Sequence, residues 1–188
     1  NGIVIATKVG LYSKYPGLRA ENIVAACNES LKRLDIDYID IYYSHKDDVD
    51  VPMEETLGAY AQLIDAGKVR YIAASQHSGA RLQEALDISK REGFPAYIGL
   101  QNRYNLLDRE PFESDQQSVV ERNKISAMPF YGLARGFLSG KYRKSITVES
   151  VRAEAVKEYM TPTGWATIDA LDAIAKNHGA SMSAVALA

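Results

Sequence analysis

Ile3-Val-Ile-Ala-Thr-Lys8 and, one helical segment later, Asp37-Tyr-Ile-Asp-Ile-Tyr-Tyr-Ser-His45 are two apolar, β-branched runs that each end in a residue able to manage charge. Short runs of this kind read as strands. The stretch between them is long enough for a crossover helix, so the two are expected to be parallel. Parallel neighbours point their carboxyl ends the same way, which brings Lys8 and His45 out together at the face where barrel and open-sheet enzymes keep their chemistry. Taken singly, each has an equally ordinary reading: Lys8 as a strand-end lysine lying along apolar surface, His45 as a hydrogen-bonded loop histidine.

The same rhythm continues outward from this pair. Runs over 69–75, 96–102 and 124–130 join 3–8 and 38–45 as expected strands, and their apolar character reads as burial on both faces. Between them Val24, Cys27 and Leu31, then Leu57, Tyr60 and Ile64, then Leu82, Ala85 and Leu86 recur at helical spacing. Gly67 and Gly93 stand where helices end, Pro52 suits a first turn and Ser78 can cap the helix that follows it. Beyond Phe130 the pattern changes to a glycine-containing loop over 132–140, a polar helical stretch over 149–158, and a helix carrying Ile168, Leu171 and Ile174 that stops at Gly179. Ser181 is placed to cap a last helix. Alternating strands and helices argue for an α/β fold with a parallel sheet in one domain, residues 1–188.

The chain has 188 residues, 46% hydrophobic and 24% charged, with 22 basic against 24 acidic side chains and a net charge of −2. A pI near 6.0 and the absence of any dense basic run argue against nucleic acid or an anionic membrane as partner, and favour small-molecule chemistry. The single cysteine, Cys27, excludes an intrachain disulfide and falls in step with Val24 and Leu31 as a core residue. With no basic-then-apolar leader and no membrane-length apolar run, the expected compartment is the cytoplasm; a start at Asn1 rather than Met allows processing or truncation. His45, His77 and His178 lack paired-ligand spacing, so no metal is expected. Five strands do not close an eight-stranded barrel, which typically takes about 250 residues, so a barrel made by this chain would be incomplete.

Taken in order, Ile5-Ala-Thr-Lys-Val-Gly10, the run from Ser30 through Leu34 and Tyr38 to His45, Gly67-Lys-Val-Arg-Tyr-Ile-Ala-Ala-Ser75, Leu100-Gln-Asn-Arg-Tyr-Asn105 and Gly132-Leu-Ala-Arg-Gly-Phe-Leu-Ser-Gly-Lys-Tyr142 resemble the aldo-keto reductases over nearly the whole chain. Each motif is weak by itself; five in the family's order are specific. The resemblance implies a (β/α)8 TIM barrel, of which residues 1–188 would be the central portion, and NADPH-dependent reduction of an aldehyde or ketone, with NADH possible.

By that resemblance Lys8 and His45 are catalytic, Lys8 lowering the pKa of an acidic tyrosine and His45 orienting the carbonyl oxygen. The family's aspartate and tyrosine would precede Asn1, so the 188 residues alone are expected to be inactive. Tyr42 and Tyr43 are not expected to replace that tyrosine, since alternation along the strand sends at least one into the packing. Ser75, Gln76 and Gln101 match the nicotinamide-carboxamide contacts, Gln76 standing where the family usually has Asn; His77 is read as a flanking residue. Phe130 matches the aromatic that packs on the nicotinamide ring, usually Tyr or Trp. Tyr131, Leu133, Arg135 and Gly136 match the loop that wraps the pyrophosphate. A catalytically incomplete, cofactor-binding or channel-associated relative remains the alternative. Substrate, cofactor preference and oligomeric state are not legible in the chain.

Overall fold

The computed structural model describes residues 2–144, 148 and 152–188. They fall into two compact units, one made of Asn1–Asn102 and Glu113–Met128, the other of Arg103–Phe112 and Pro129–Ala188.

The first unit is a five-stranded, all-parallel sheet in sequential order: β1 (Ala6–Val9), β2 (Ile39–Ser44), β3 (Val69–Ser75), β4 (Tyr97–Gln101) and β5 (Ser126–Ala127). The helices α1 (Ala20–Leu34), α2 (Met53–Asp65), α3 (Gly79–Glu92) and α4 (Gln117–Asn123) connect them. β3 has the bounds read from the sequence. β1 begins three residues later than expected and is not buried on both faces; among the described residues it pairs on one side only, with β2, and Ile3 and Val4 ahead of it stay 78% and 67% exposed. The run over 124–130 forms only a two-residue strand, because β5 pairs with β4 solely at Gly99–Ser126 and Leu100–Ala127.

The helix signals hold locally. Ser78 accepts from the Arg81 N–H, a cap contributing about 1 kcal/mol, and Gly93 ends α3 in the left-handed region. Pro52 stands one position before the expected first turn, as the cap of α2. The helix faces turn slightly from those read in the sequence: Ile23, Ala26 and Cys27 are the buried residues of α1, and Leu63 rather than Ile64 is buried in α2. Tyr42, Tyr60 and Tyr97 are among the largest fully buried side chains, and the Ser44 hydroxyl lies 2.8 Å from both the Tyr60 and the Tyr97 phenol oxygens. Tyr97 reaches this layer because the β3–β4 register shifts between Ile72–Tyr97 and Ala74–Leu100, a bulge that puts residues of opposite parity on one face.

The second unit holds a 3₁₀ segment at Ala134–Ser139, α5 (Ala153–Val156), a 3₁₀ turn at Lys157–Tyr159, α6 (Pro162–His178) and α7 (Met182–Leu187). Phe137 is fully buried between Tyr159, Trp165 and Tyr142, with ring centroids 5.9, 5.2 and 6.1 Å away. Gly179 ends α6 and the Ser181 hydroxyl caps α7, as the sequence indicates. Ile174, expected on the apolar face of α6, is 44% exposed, and Ala175 takes the buried place. Of the helical stretch expected over 149–158, residues 149–151 lie outside the described residues.

Candidate active site

Strand register brings five of the candidate residues of the first unit to one place. Lys8 pairs with Tyr43, Tyr43 with Ala73, and Ser75 with Gln101. Residues in register share a face, and alternation along β2 and β3 adds His45 and Ser75 to the face of Lys8 and Tyr43. Lys8, His45, Ser75 and Gln101 therefore stand at the carboxyl ends of four neighbouring strands, on the same side of the sheet. Gln76 follows directly on Ser75.

Lys8 is half-buried, and its Nζ lies 5.1 Å from the centre of the Tyr43 ring. His45 donates its backbone N–H to the Val9 carbonyl at 2.9 Å, so the residue just past β2 is still tied to β1. Burial, reinforced by the positive charge of Lys8, holds its imidazole below the ordinary histidine value of 6.5. At neutral pH His45 is thus a neutral ring with one N–H to offer. Tyr42 turns to the helical side, where its hydroxyl donates to the Ile23 carbonyl at 3.4 Å; Tyr43 donates to Met128 Sδ at 2.9 Å. Burial raises the pKa of both phenols.

Gln76 adopts φ +53, and its backbone N–H donates to the Gln101 carbonyl at 3.1 Å. Its side-chain Nε2 donates to the His45 carbonyl at 3.0 Å. His77 is buried, with Nδ1 2.9 Å from the Ser75 carbonyl, Nε2 3.7 Å from Asp47 Oδ1 and its ring against the edge of Tyr97. Asp47 is held by Arg81 through two hydrogen bonds of 2.8 and 3.1 Å. The sequence reading missed this Asp47–Arg81 pair; the visible signal was an arginine at the third position after the Ser78 cap.

In the second unit, Phe130 bridges Arg103 in parallel and packs edge-on against Tyr131 at 5.1 Å. Tyr131, Ala134, Arg135 and Gly136 all have positive φ, so the segment from 131 to 136 mixes right- and left-handed residues. Within the loop the Ala134 N–H donates to the Tyr131 carbonyl at 2.7 Å. Arg135 lies over the Tyr131 ring at 4.6 Å, and its Nε is 3.2 Å from Glu158 Oε1. Leu133 accepts from the Gly136 N–H at 2.8 Å, and Asn105 Nδ2 donates to the Tyr131 carbonyl at 3.0 Å. A polar cluster not foreseen in the sequence backs this loop: Arg103 bonds Asp108 and Glu158 at 2.9 and 2.8 Å, and the Tyr159 hydroxyl donates to Asp108 at 2.6 Å.

Among the described residues, no group of three His, Cys, Asp or Glu is placed to hold a metal ion, and no helix is long and apolar enough to cross a membrane.

The aldo/keto reductase family model matches residues 1–188. The chain is 32% identical over 197 residues to L-glyceraldehyde 3-phosphate reductase of Escherichia coli K12, which covers 98% of this chain and 56% of that protein. It is 34% identical over 197 residues to a putative voltage-gated potassium channel subunit beta of Schizosaccharomyces pombe, with 98% and 57% covered. The solved structure of a glycerol dehydrogenase from Gluconobacter oxydans aligns with a TM-score of 0.83 at 26% identity, over 99% of this chain and 59% of that one. The chain spans a little over half the length of the curated relatives it matches, and its five sequential parallel strands are part of an α/β TIM barrel, incomplete in this chain. By the family match along its whole length and the strand-end geometry that accompanies it, the chain belongs to the aldo/keto reductase family.

Proposed function

We propose that the whole protein, of which residues 1–188 would form the central portion of a single barrel domain, reduces an aldehyde or ketone to an alcohol with NADPH, or with NADH. The observation that carries this reading is the presence of Lys8 and His45 on one face of adjacent strands, beside the Ser75–Gln101 pair. The donor set fits a nicotinamide: the Ser75 hydroxyl and the Gln76 and Gln101 amides offer both donors and acceptors, which is what a carboxamide needs. By the family resemblance alone, Phe130 would supply a flat apolar face for the ring, and the loop carrying Tyr131, Leu133, Arg135 and Gly136 would supply the Arg135 guanidinium for phosphate oxygens.

A bound nicotinamide would supply the hydride. Lys8 supplies a positive charge that stabilises the phenolate of an acidic tyrosine, in the family's arrangement contributed by the segment before the lysine strand. His45, kept neutral, donates a ring N–H to the carbonyl oxygen as negative charge builds there. Neither Tyr42 nor Tyr43 is disposed to serve as the acid, since both hydroxyls are committed to other acceptors. A net charge of −2 favours a small carbonyl substrate over nucleic acid as partner.

A second reading, a cofactor-binding subunit of a channel, draws on the relative named as a potassium channel subunit beta. One experiment separates the two. NADPH and NADH are titrated against the full-length protein by tryptophan and cofactor fluorescence, followed by an aldehyde panel. Saturable binding with aldehyde-dependent cofactor oxidation supports the reductase; saturable binding without turnover supports the subunit; folded protein that binds neither nucleotide removes both.

A further inference from the structure

Resting on the reductase reading above, we propose that Gln76 is a positioning residue for His45, its side chain spanning from the end of β3 to the carbonyl of His45 while keeping a second N–H and its oxygen for a ligand.

The backbone at Gln76 gives the first argument. A φ of +53 belongs to the left-handed region, where asparagine is several-fold enriched and glutamine is not. Local conformational preference therefore favours the asparagine usual at this place in the family. The presence of glutamine is explained by reach: its extra methylene places the amide about 1.5 Å farther out. With that length, Nε2 arrives 3.0 Å from the His45 carbonyl, across to the neighbouring strand.

The second argument is what the bond does to His45. β2 ends at Ser44, so His45 lies outside the regular ladder. Its N–H is nevertheless fixed to Val9 of β1, and its carbonyl to Gln76 beyond β3. The peptide is held from both flanks, which leaves the imidazole only its own side-chain torsions to settle. Gln76 is anchored in turn by its backbone bond to Gln101, and two residues past His45 the chain is held again by the Asp47–Arg81 pair.

The third argument is exposure. Gln76 is exposed, whereas Ser75 beside it is buried, so an amide already donating one N–H to His45 keeps a second N–H and its oxygen for a ligand. Cofactor binding and His45 placement are then coupled through one side chain.

The test uses the full-length protein with Gln76→Asn and Gln76→Met. Gln76→Asn retains the amide and loses the reach; Gln76→Met retains length and loses the hydrogen bonds. For Gln76→Asn, the NADPH Kd is expected to stay within about three-fold while kcat for an aldehyde falls about ten-fold, with KM little changed. Gln76→Met is expected to lose kcat similarly and also weaken cofactor binding. If Gln76→Asn leaves kcat unchanged, Gln76 is a cofactor contact only and the proposal is overturned. A second measurement does not depend on turnover. Amide hydrogen exchange at residues 45–47 in the cofactor-free protein is expected to quicken about ten-fold in both variants, with Tm nearly unchanged. Unchanged exchange overturns the proposal even where the wild-type protein proves inactive, whereas quickened exchange without wild-type turnover sustains the strap and removes only the reductase reading.

Discussion

The Lys8 ammonium meets the ring of Tyr43, 5.1 Å from its centre, while the Tyr43 hydroxyl points elsewhere, to Met128 Sδ at 2.9 Å. The lysine is thus supported by the aromatic face and not by the phenol oxygen. A cation over a ring gains about 0.5–2 kcal/mol depending on how far it is desolvated, and the half-buried Lys8 stands between those limits.

Lys8→Met in the full-length protein is expected to leave cofactor Kd within a few-fold and to lower kcat by about two orders of magnitude, as the acid loses its activating charge. Single-turnover kinetics, which isolate the chemical step from cofactor release, check this. An unchanged rate would make Lys8 an ordinary strand-end lysine.

Tyr43→Phe keeps the ring under Lys8 and removes only the hydroxyl. Turnover is expected to stay within about two-fold of wild type, and stability to fall by less than about 1 kcal/mol, since a thioether is a weak acceptor. Steady-state rates and urea midpoints measure both. Loss of turnover would identify Tyr43 as the proton donor.

Ser44→Ala removes the hydroxyl that joins Tyr60 and Tyr97. Both phenols are fully buried, so losing a partner without gaining water is expected to destabilise by about 1–3 kcal/mol. The check is a shift in urea midpoint at constant m-value. A midpoint equal to wild type would mean that the two phenols find other partners.

Acid is expected to weaken the fold through its histidines. Burial and the Lys8 charge hold His45 below 6.5; burial holds His77 below it too, against the opposing pulls of the Ser75 carbonyl and Asp47. Between the folded and unfolded pKa values the unfolded chain binds more protons, so stability rises with pH across that window. The contribution is complete above about pH 6.5 and is lost as pH falls through the folded-state values. Urea midpoints taken from about pH 7.5 down to about pH 5 are expected to decline more steeply in wild type than in His77→Gln. Parallel curves would show that His77 does not contribute.

The parts of the fold legible in the sequence are those set by local pattern. β3, the Ser78 and Ser181 caps and the glycine stops at Gly93 and Gly179 were all readable because a few adjacent residues decide them. The stretch at Phe112–Gln116 and α4 was not, since over Phe112–Asn123 only Val119 and Val120 are buried and no apolar stripe forms. Long-range polar bonds tie this stretch down: Asp115 accepts from the Gly79 N–H at 2.7 Å and Gln116 donates to the His77 carbonyl at 2.7 Å, partners 36 and 39 residues away. The site divides the same way. Lys8 and His45 were readable as charge-bearing residues at strand ends, whereas the left-handed turn at Gln76 and the Asp47–Arg81 pair depend on neighbours that no window of sequence contains.

The bulge between β3 and β4 acts as a phase correction. Ahead of it Tyr97 is in register with Ile72 and joins the phenol layer; after it Gln101 is in register with Ser75 at the opposite face. Those two demands have opposite parity, and a regular strand of this length could meet only one of them. Removing one residue at the bulge would leave Tyr97 and Gln101 three positions apart, the spacing of their partners Ile72 and Ser75, so a regular ladder would still send the two side chains to opposite faces; the bulge absorbs one extra residue without giving up either the phenol layer or the site.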